Sequence, residues 1–209
     1  MFSNKKQRIS IIVVLIFGIL MFYIGTDGFR AFTAETARTN KLIEEQPSLP
    51  LVTLEDSLEE KYSFDEFKDK YLFMTFFYTA CSTTCPVLNS NAIEVFEQIP
   101  DQYLDDIVFL SISFDTERDT PEILERYGGY FDIEREHWRL ARVPNDDDLD
   151  RLLDDLGVIA IPDGQGDYQH NVAFYLIGRD GHLVDVMDFE DINGAADRIV
   201  TALQEEQGG

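Results

Sequence analysis

Apolar and polar residues are distributed along this chain in three regimes. From Ile9 to Gly25 only Ser10 is polar, and as a helix that run would span roughly 25 Å at about 1.5 Å per residue. Residues 27–48 mix polarities with weak periodicity and are read as a tether. From Leu49 onward, apolar bursts are separated by polar turns. "LPLVTLED" alternates as edge strands do, and "SFDEFKDK" sets Ser63 and Glu66 at capping-box spacing for a short helix. "YLFMTFFY" (71–78) and "IVFLSISF" (107–114) are unbroken β-prone runs, the pattern of strands buried on both faces. Between them Pro86 suits a first helical turn, and Leu88, Ala92, Val95, Phe96 and Ile99 follow at helical spacing.

Thr120 and Pro121 open a further helix that carries Ile123, Leu124 and Tyr127 and is expected to close near Gly128 and Gly129. "WRLARV" is a weaker strand. Leu149, Leu152, Leu153 and Leu156 form a helical stripe stopped by Gly157. "NVAFYLIG" and "HLVDVMDF" flank Asp180-Gly181, a tight hairpin signal, and "GAADRIVTALQEE" closes the chain as a helix. Alternating strands and helices that end in a hairpin and a helix predict a layered α/β sandwich, and the order fits a thioredoxin-like sheet.

The first apolar run changes the picture of where this domain works. It is longer than a signal-peptide core, ends in bulky Phe22 and Tyr23, and has no A-x-A cleavage site close behind. It is therefore read as an uncleaved transmembrane helix over residues 9–26, with a cleaved signal peptide as the rival. Lys5, Lys6 and Arg8 place a basic tail, residues 1–8, in the cytoplasm by the positive-inside rule. Residues 49–209 then form a domain on the outer, periplasmic side of a cell inner membrane, crossed once.

Charge narrows the partners. Those three basic residues are the only charges in residues 1–26, so residues 27–209 carry −26, three units more negative than the whole chain. Such a field repels nucleic acid, which argues against that partner class, and it favours cationic partners or solubility.

The only two cysteines lie in "FFYTACSTTCPVLNSN", at the carboxyl end of a predicted buried strand where a helix begins. Open α/β sheets place ligand sites at that edge, and a helix N-terminus favours thiolate over thiol. Cys81 and Cys85 lie one helical turn apart, within disulfide range. A structural disulfide, a redox couple and a pair of metal ligands all remain open on these grounds. Of the three histidines, His137 and His182 read as surface and loop residues, whereas His170 ends a Gly-rich stretch just before a buried strand. If His170 faces the thiols, the site is Cys₂His. Soft thiolates select Cu(I), and the set also supports Cu(II).

"FFYTACSTTCP", "LSISFDTERDTP" and "QHNVAFYLIGRDG" together resemble the three signature blocks of the Sco (SenC) family of membrane-anchored copper chaperones, in order and spacing over roughly residues 50–205. The resemblance implies a thioredoxin-like fold and copper held by Cys81, Cys85 and His170. It also implies a role in assembling the dinuclear copper centre of cytochrome c oxidase. Its implied partners are a copper-receiving oxidase subunit and thiol–disulfide or copper-donor proteins. Some members act as thiol–disulfide reductases, which keeps an oxidoreductase with Cys81 as nucleophile and Cys85 as resolving thiol as the alternative. The family commonly has proline after the first cysteine and Asp before the histidine, where this chain has Ser82 and Gln169. Asp115 reads equally as an outer-shell group or as part of a loop in which Arg118 and Asp119 pair. The acidic run from Asp146 to Asp155 lacks the glycine of a calcium loop, Arg151 standing in its place, and reads as a solvated helix face.

Overall fold

The computed structural model describes residues 5–25, 33–131, 133 and 136–207. Two compact units divide between Glu44 and Glu45. In the first, α1 (Lys5–Gly25) is apolar all round from Ile9 onward, and every described large side chain from Ile9 to Ile24 is exposed. The apolar run starts after Arg8 and extends from Ile9 to Gly25, roughly 25 Å against the ~30 Å of a bilayer core. Among the described residues no helix is long and apolar enough to cross a membrane. The expected tether is helical over much of its length as α2 (Ala34–Glu45). Thr33 Oγ1 accepts the Thr36 N–H at 3.0 Å, and Glu35 pairs with Arg38 one turn on. This is local capping that weak hydrophobic periodicity does not reveal. Tether residues 27–32 lie outside the described residues.

The second unit begins before Leu49. Leu183 N–H donates to Pro47 O and Leu49 N–H to Gly181 O, both at 2.9 Å, so the supposed tether end is stitched to the sheet edge. The strands are β1 (Leu54–Asp56), β2 (Lys61–Tyr62), β3 (Tyr71–Phe77), β4 (Ile107–Ser113), β5 (Trp138–Arg142), β6 (Ala160–Pro162), β7 (Tyr168–His170), β8 (Phe174–Ile177) and β9 (Leu183–Met187). The helices are α3 (Thr84–Glu97), α4 (Pro121–Tyr130), α5 (Asp146–Asp155) and α6 (Ile192–Gln207). Seven strands form one sheet in the order β2-β1-β5-β4-β3-β8-β9. β3, β4 and β5 run parallel, and β1, β8 and β9 pair antiparallel. α3 packs with α6, and α4 packs against β5 and β1. This is the thioredoxin-like sandwich that the element order predicts.

The two unbroken apolar runs sit where such runs belong. Every residue of β3 and β4 is buried. Phe73 at the centre meets Phe109 at 4.5 Å and Phe174 at 4.8 Å between ring centroids. Contacts of this kind add about 0.5–1.5 kcal/mol each beyond area burial. Two of the three buried hydroxyl residues of these strands satisfy each other: Thr75 Oγ1 donates to Ser111 Oγ at 2.7 Å, and Trp138 Nε1 donates to the same oxygen at 3.0 Å.

Two local expectations change and one is refined. Ser63 does cap a 3₁₀ turn, Phe64–Phe67, but Glu66 reaches out to Arg139 at 2.5 Å instead of back to the cap, so the capping box is half formed. α4 closes at Tyr130, one residue past the expected glycine pair, so Gly128 lies inside its last turn. A Cβ there would stand 2.9 Å from Leu140 Cδ1, so its small size serves the seating of α4 on β5. The Gly-rich stretch before His170 is no simple loop. It is the turn of a separate two-stranded ribbon in which Ala160 pairs with His170, Ile161 with Gln169 and Pro162 with Tyr168. Asp163 Oδ1 closes that turn by accepting the N–H groups of Gln165 and Asp167 at 2.7 and 3.0 Å.

Candidate metal centre

The strand β3 delivers the chain to the sheet's carboxyl edge, and one carboxylate fixes its exit. Asp119, fully buried, accepts Thr79 N–H at 2.8 Å, Thr79 Oγ1 at 2.5 Å and Ser113 Oγ at 2.5 Å. It thereby ties the end of β3 to the end of β4 at the entrance to α4. The chain then turns through Tyr78–Cys81 and enters α3 at Thr84. Thr83 at the N-cap makes no side-chain cap bond. The Cys85 N–H donates instead to Cys81 Sγ at 3.2 Å, so a sulfur atom satisfies one of the orphan N–H groups of the helix.

That geometry makes the two thiols unequal. Burial works against ionisation of Cys81, but the Cys85 thiol and the N–H groups of Cys85 and Thr83 outweigh it and lower Cys81 to about 7. Cys85 is pushed strongly upward, first by burial and then by its neighbour Cys81. Both thiols are free. The pair therefore presents one ready thiolate and one protonated reserve, whose proton must leave when a metal ion binds.

His170 stands at the end of β7, half-buried. Its ring meets Tyr78 edge-on at 5.8 Å and Phe114 at 5.4 Å. Its Nδ1 lies 3.1 Å from Asn171 O, which can only accept, so Nδ1 carries a proton and, in the neutral imidazole, Nε2 is the free ligand atom. Nε2 points to Cys85 Sγ at 4.0 Å. The three donor atoms of Cys81, Cys85 and His170 lie within 4.8 Å of one another. Two sulfurs and an imidazole with its second nitrogen already engaged are a donor set for a soft or borderline metal ion.

Residues 50–205 match SCO1/SenC. The chain belongs to that family. It is 28% identical over 146 residues to a Stutzerimonas stutzeri protein named for copper binding, an alignment covering 68% of this chain and 70% of the relative. Copper-bound ScoI of Bradyrhizobium japonicum superposes with a TM-score of 0.63 at 25% identity, covering 74% of this chain and 99% of that one. Copper-bound yeast Sco1 superposes with a TM-score of 0.63 at 22% identity, covering 76% and 90%.

Within this SCO1/SenC site the two departures from the family pattern fall on the outside. Ser82 is exposed, and Gln169 is exposed on the face of β7 opposite His170, paired with Ile161. The outer partner of the imidazole comes from the Asn171 backbone. The other two histidines stay apart: His137 leans on Phe96 at the start of β5, and exposed His182 faces Asp180 at 3.4 Å in the β8–β9 turn. Asp115, 2% exposed, pairs with Arg118, while Asp119 turns inward, so the expected Arg118–Asp119 pairing gives way to two separate anchors. The acidic run forms the first turn of α5 and its following face, capped by Asn145.

Sequence reasoning passed over Tyr78 and Tyr168, and it read Asp119 only as a local partner of Arg118, not as the buried tie between Thr79 and Ser113. Tyr78 is buried, donates its O–H to Asp167 and packs on Tyr168 at 5.0 Å. Its position directly after a buried strand and three residues before Cys81 was the available signal.

Proposed function

We propose that this SCO1/SenC protein is a copper metallochaperone that holds Cu(I) or Cu(II) on Cys81, Cys85 and His170 and delivers it to a respiratory oxidase subunit. The observation that carries this reading is the convergence of both sulfurs and a ring nitrogen of His170 within 4.8 Å. Redox exchange needs the thiols alone, whereas chelation uses the imidazole as well. Delivery is ligand exchange. A competing thiolate pair on the acceptor displaces His170 first, because the imidazole stands on a ribbon outside the main sheet, and then takes the ion from the two cysteines in turn. The acidic domain favours a basic approach surface on the acceptor.

α1 supplies the membrane attachment in this reading, with the domain in the periplasm. Its exposed apolar side chains from Ile9 to Ile24, interrupted by no polar residue but Ser10, support that assignment. A run of roughly 25 Å is accommodated by local thinning of the bilayer. The decisive test is metal content. Residues 27–209, purified reduced, bind one copper per chain with thiolate-to-Cu(II) charge-transfer absorption. Zinc bound in place of copper, with no visible bands, overturns the proposal.

A second reading has its own support. The lowered Cys81 thiol beside a protonated Cys85 is also the arrangement of a dithiol–disulfide oxidoreductase, Cys81 attacking and Cys85 resolving.

A further inference from the structure

The ribbon that carries His170 belongs to a different sheet from the one that carries the cysteines. Something must therefore fix the distance between them. Asn171 ties the base of the ribbon, its side chain accepting Ile159 N–H at 2.7 Å and donating to Gly157 O at 3.2 Å. At the other end Tyr78 O–H donates to Asp167, and the charged attachment is Arg118. Its Nε donates to buried Asp115 at the end of β4, and its Nη1 donates to Gly166 O in the ribbon turn at 2.5 Å. The guanidinium carbon lies 5.9 Å from the Tyr78 ring centroid and 5.8 Å from that of Tyr168, close enough for cation–π attraction to both. Gly166 sits at φ +99°, and a Cβ there would come within 3.3 Å of Arg118 Nη1, so the residue type at 166 leaves room for this contact. Tyr168 and His170 share one face of β7, so a group that clamps the first orients the second.

We infer that Arg118 is a positioning residue that latches the His170 ribbon onto the cysteine-bearing sheet and so determines whether the site offers three donors or two. The latch rests on geometry alone; its consequence for copper rests on the function proposed above. With Arg118 engaged, Nε2 is held against Cys85. With the latch open, the two thiolates remain and the imidazole leaves with its ribbon. Three donors suit Cu(II) and two thiolates suffice for Cu(I), so an acceptor surface that competes for Arg118 would convert the site from retention to release. A lysine cannot substitute, because a single ammonium does not span Asp115 and Gly166 as the guanidinium fork does.

The experiment compares Arg118→Ala and Arg118→Lys with the parent protein by amide hydrogen exchange in the reduced, metal-free state and by copper titration. Both variants should lose protection at Tyr168–His170 by about tenfold or more while β3 and β4 keep theirs. Cu(II) affinity should fall by about tenfold, with the nitrogen hyperfine signature in the electron paramagnetic resonance spectrum weakened, and Cu(I) affinity should stay within about twofold. Unchanged ribbon protection in both variants overturns the inference, as does full restoration by lysine, which would assign Arg118 a purely electrostatic role. Protection lost equally across β3 and β4 also overturns it, since the residue would then be part of the general fold. If the parent protein takes up no copper while the variants still free the ribbon, the latch stands and the copper function fails.

Discussion

His170 Nε2 lies 4.0 Å from Cys85 Sγ, although 85 residues separate the two in sequence. No local structure produces that contact. It needs β3 to bring the cysteine turn to the sheet edge and the β6–β7 ribbon to fold back over it. Replacing His170 by alanine therefore separates chelation from redox chemistry, which cysteine variants cannot do. Cu(II) affinity should drop by about 100-fold or more, beyond the ~10–100-fold expected for loss of an outer partner. Cu(I) binding and reduction of a disulfide substrate should persist at near-parental levels. A folded His170→Ala protein that keeps its Cu(II) affinity but loses reductase activity would instead make the imidazole a modulator of Cys81.

The inequality of the thiols predicts a pH profile. Cys81 is lowered to about 7 and its thiolate is the nucleophile, so alkylation of the reduced, metal-free protein by iodoacetamide should rise through a midpoint near pH 7. The sign follows from the direction: a lowered thiol reacts at a pH where an ordinary one, near 9, is still protonated. Peptide mapping should find the label on Cys81 throughout, because Cys85 is shifted the opposite way and is fully buried. Equal labelling of both cysteines at pH 7.5 would contradict the cap geometry in which Cys85 N–H donates to Cys81 Sγ.

The sequence is legible here to the extent that its signals are local or periodic. Buried β3 and β4 announce themselves by continuous apolar runs, α4 by Thr120 and Pro121, and the cysteine turn by its place between strand and helix. The ribbon did not, because β6 and β7 are three residues each, one ends in Pro162, and most of their side chains stay partly wet. Asp119 and Arg118 sit one residue apart with opposite charges, and adjacency suggested that they pair. Only the fold shows one turned into the core and the other out to the ribbon. Long-range polar ties leave no period to read.

Asp119 tests how much the site depends on its buried frame. Its carboxylate accepts three hydrogen bonds from Thr79 and Ser113, and its removal strands the Thr79 N–H at the exit of β3. Hydrogen bonds to a charged acceptor contribute about 1.5–3 kcal/mol each, and losses within one network are not additive. Asp119→Ala should therefore lower unfolding free energy by about 3 kcal/mol in urea titrations. The cysteine turn should loosen with it, so that Cys85 becomes accessible to alkylation in the native state. Destabilisation below about 1 kcal/mol with Cys85 still protected would show that α3 alone holds the turn.

Orientation in the cell is the remaining expectation, and it rests on the first 26 residues. Lys5, Lys6 and Arg8 precede the apolar run and no acidic residue accompanies them. A cationic flank is retained on the cytoplasmic side, which sends the following chain across. A reporter enzyme active only outside the cytoplasm, fused after Gly209, should therefore be active. The protein should also remain with membranes through a high-salt wash, because an apolar helix is held by hydrocarbon burial that salt does not screen. Replacing Lys5, Lys6 and Arg8 with Asn should weaken the bias and lower reporter activity without releasing the protein. Recovery of a soluble form lacking residues 1–30 would mean that the run is a cleaved signal, leaving the copper site in the same compartment but free of the bilayer.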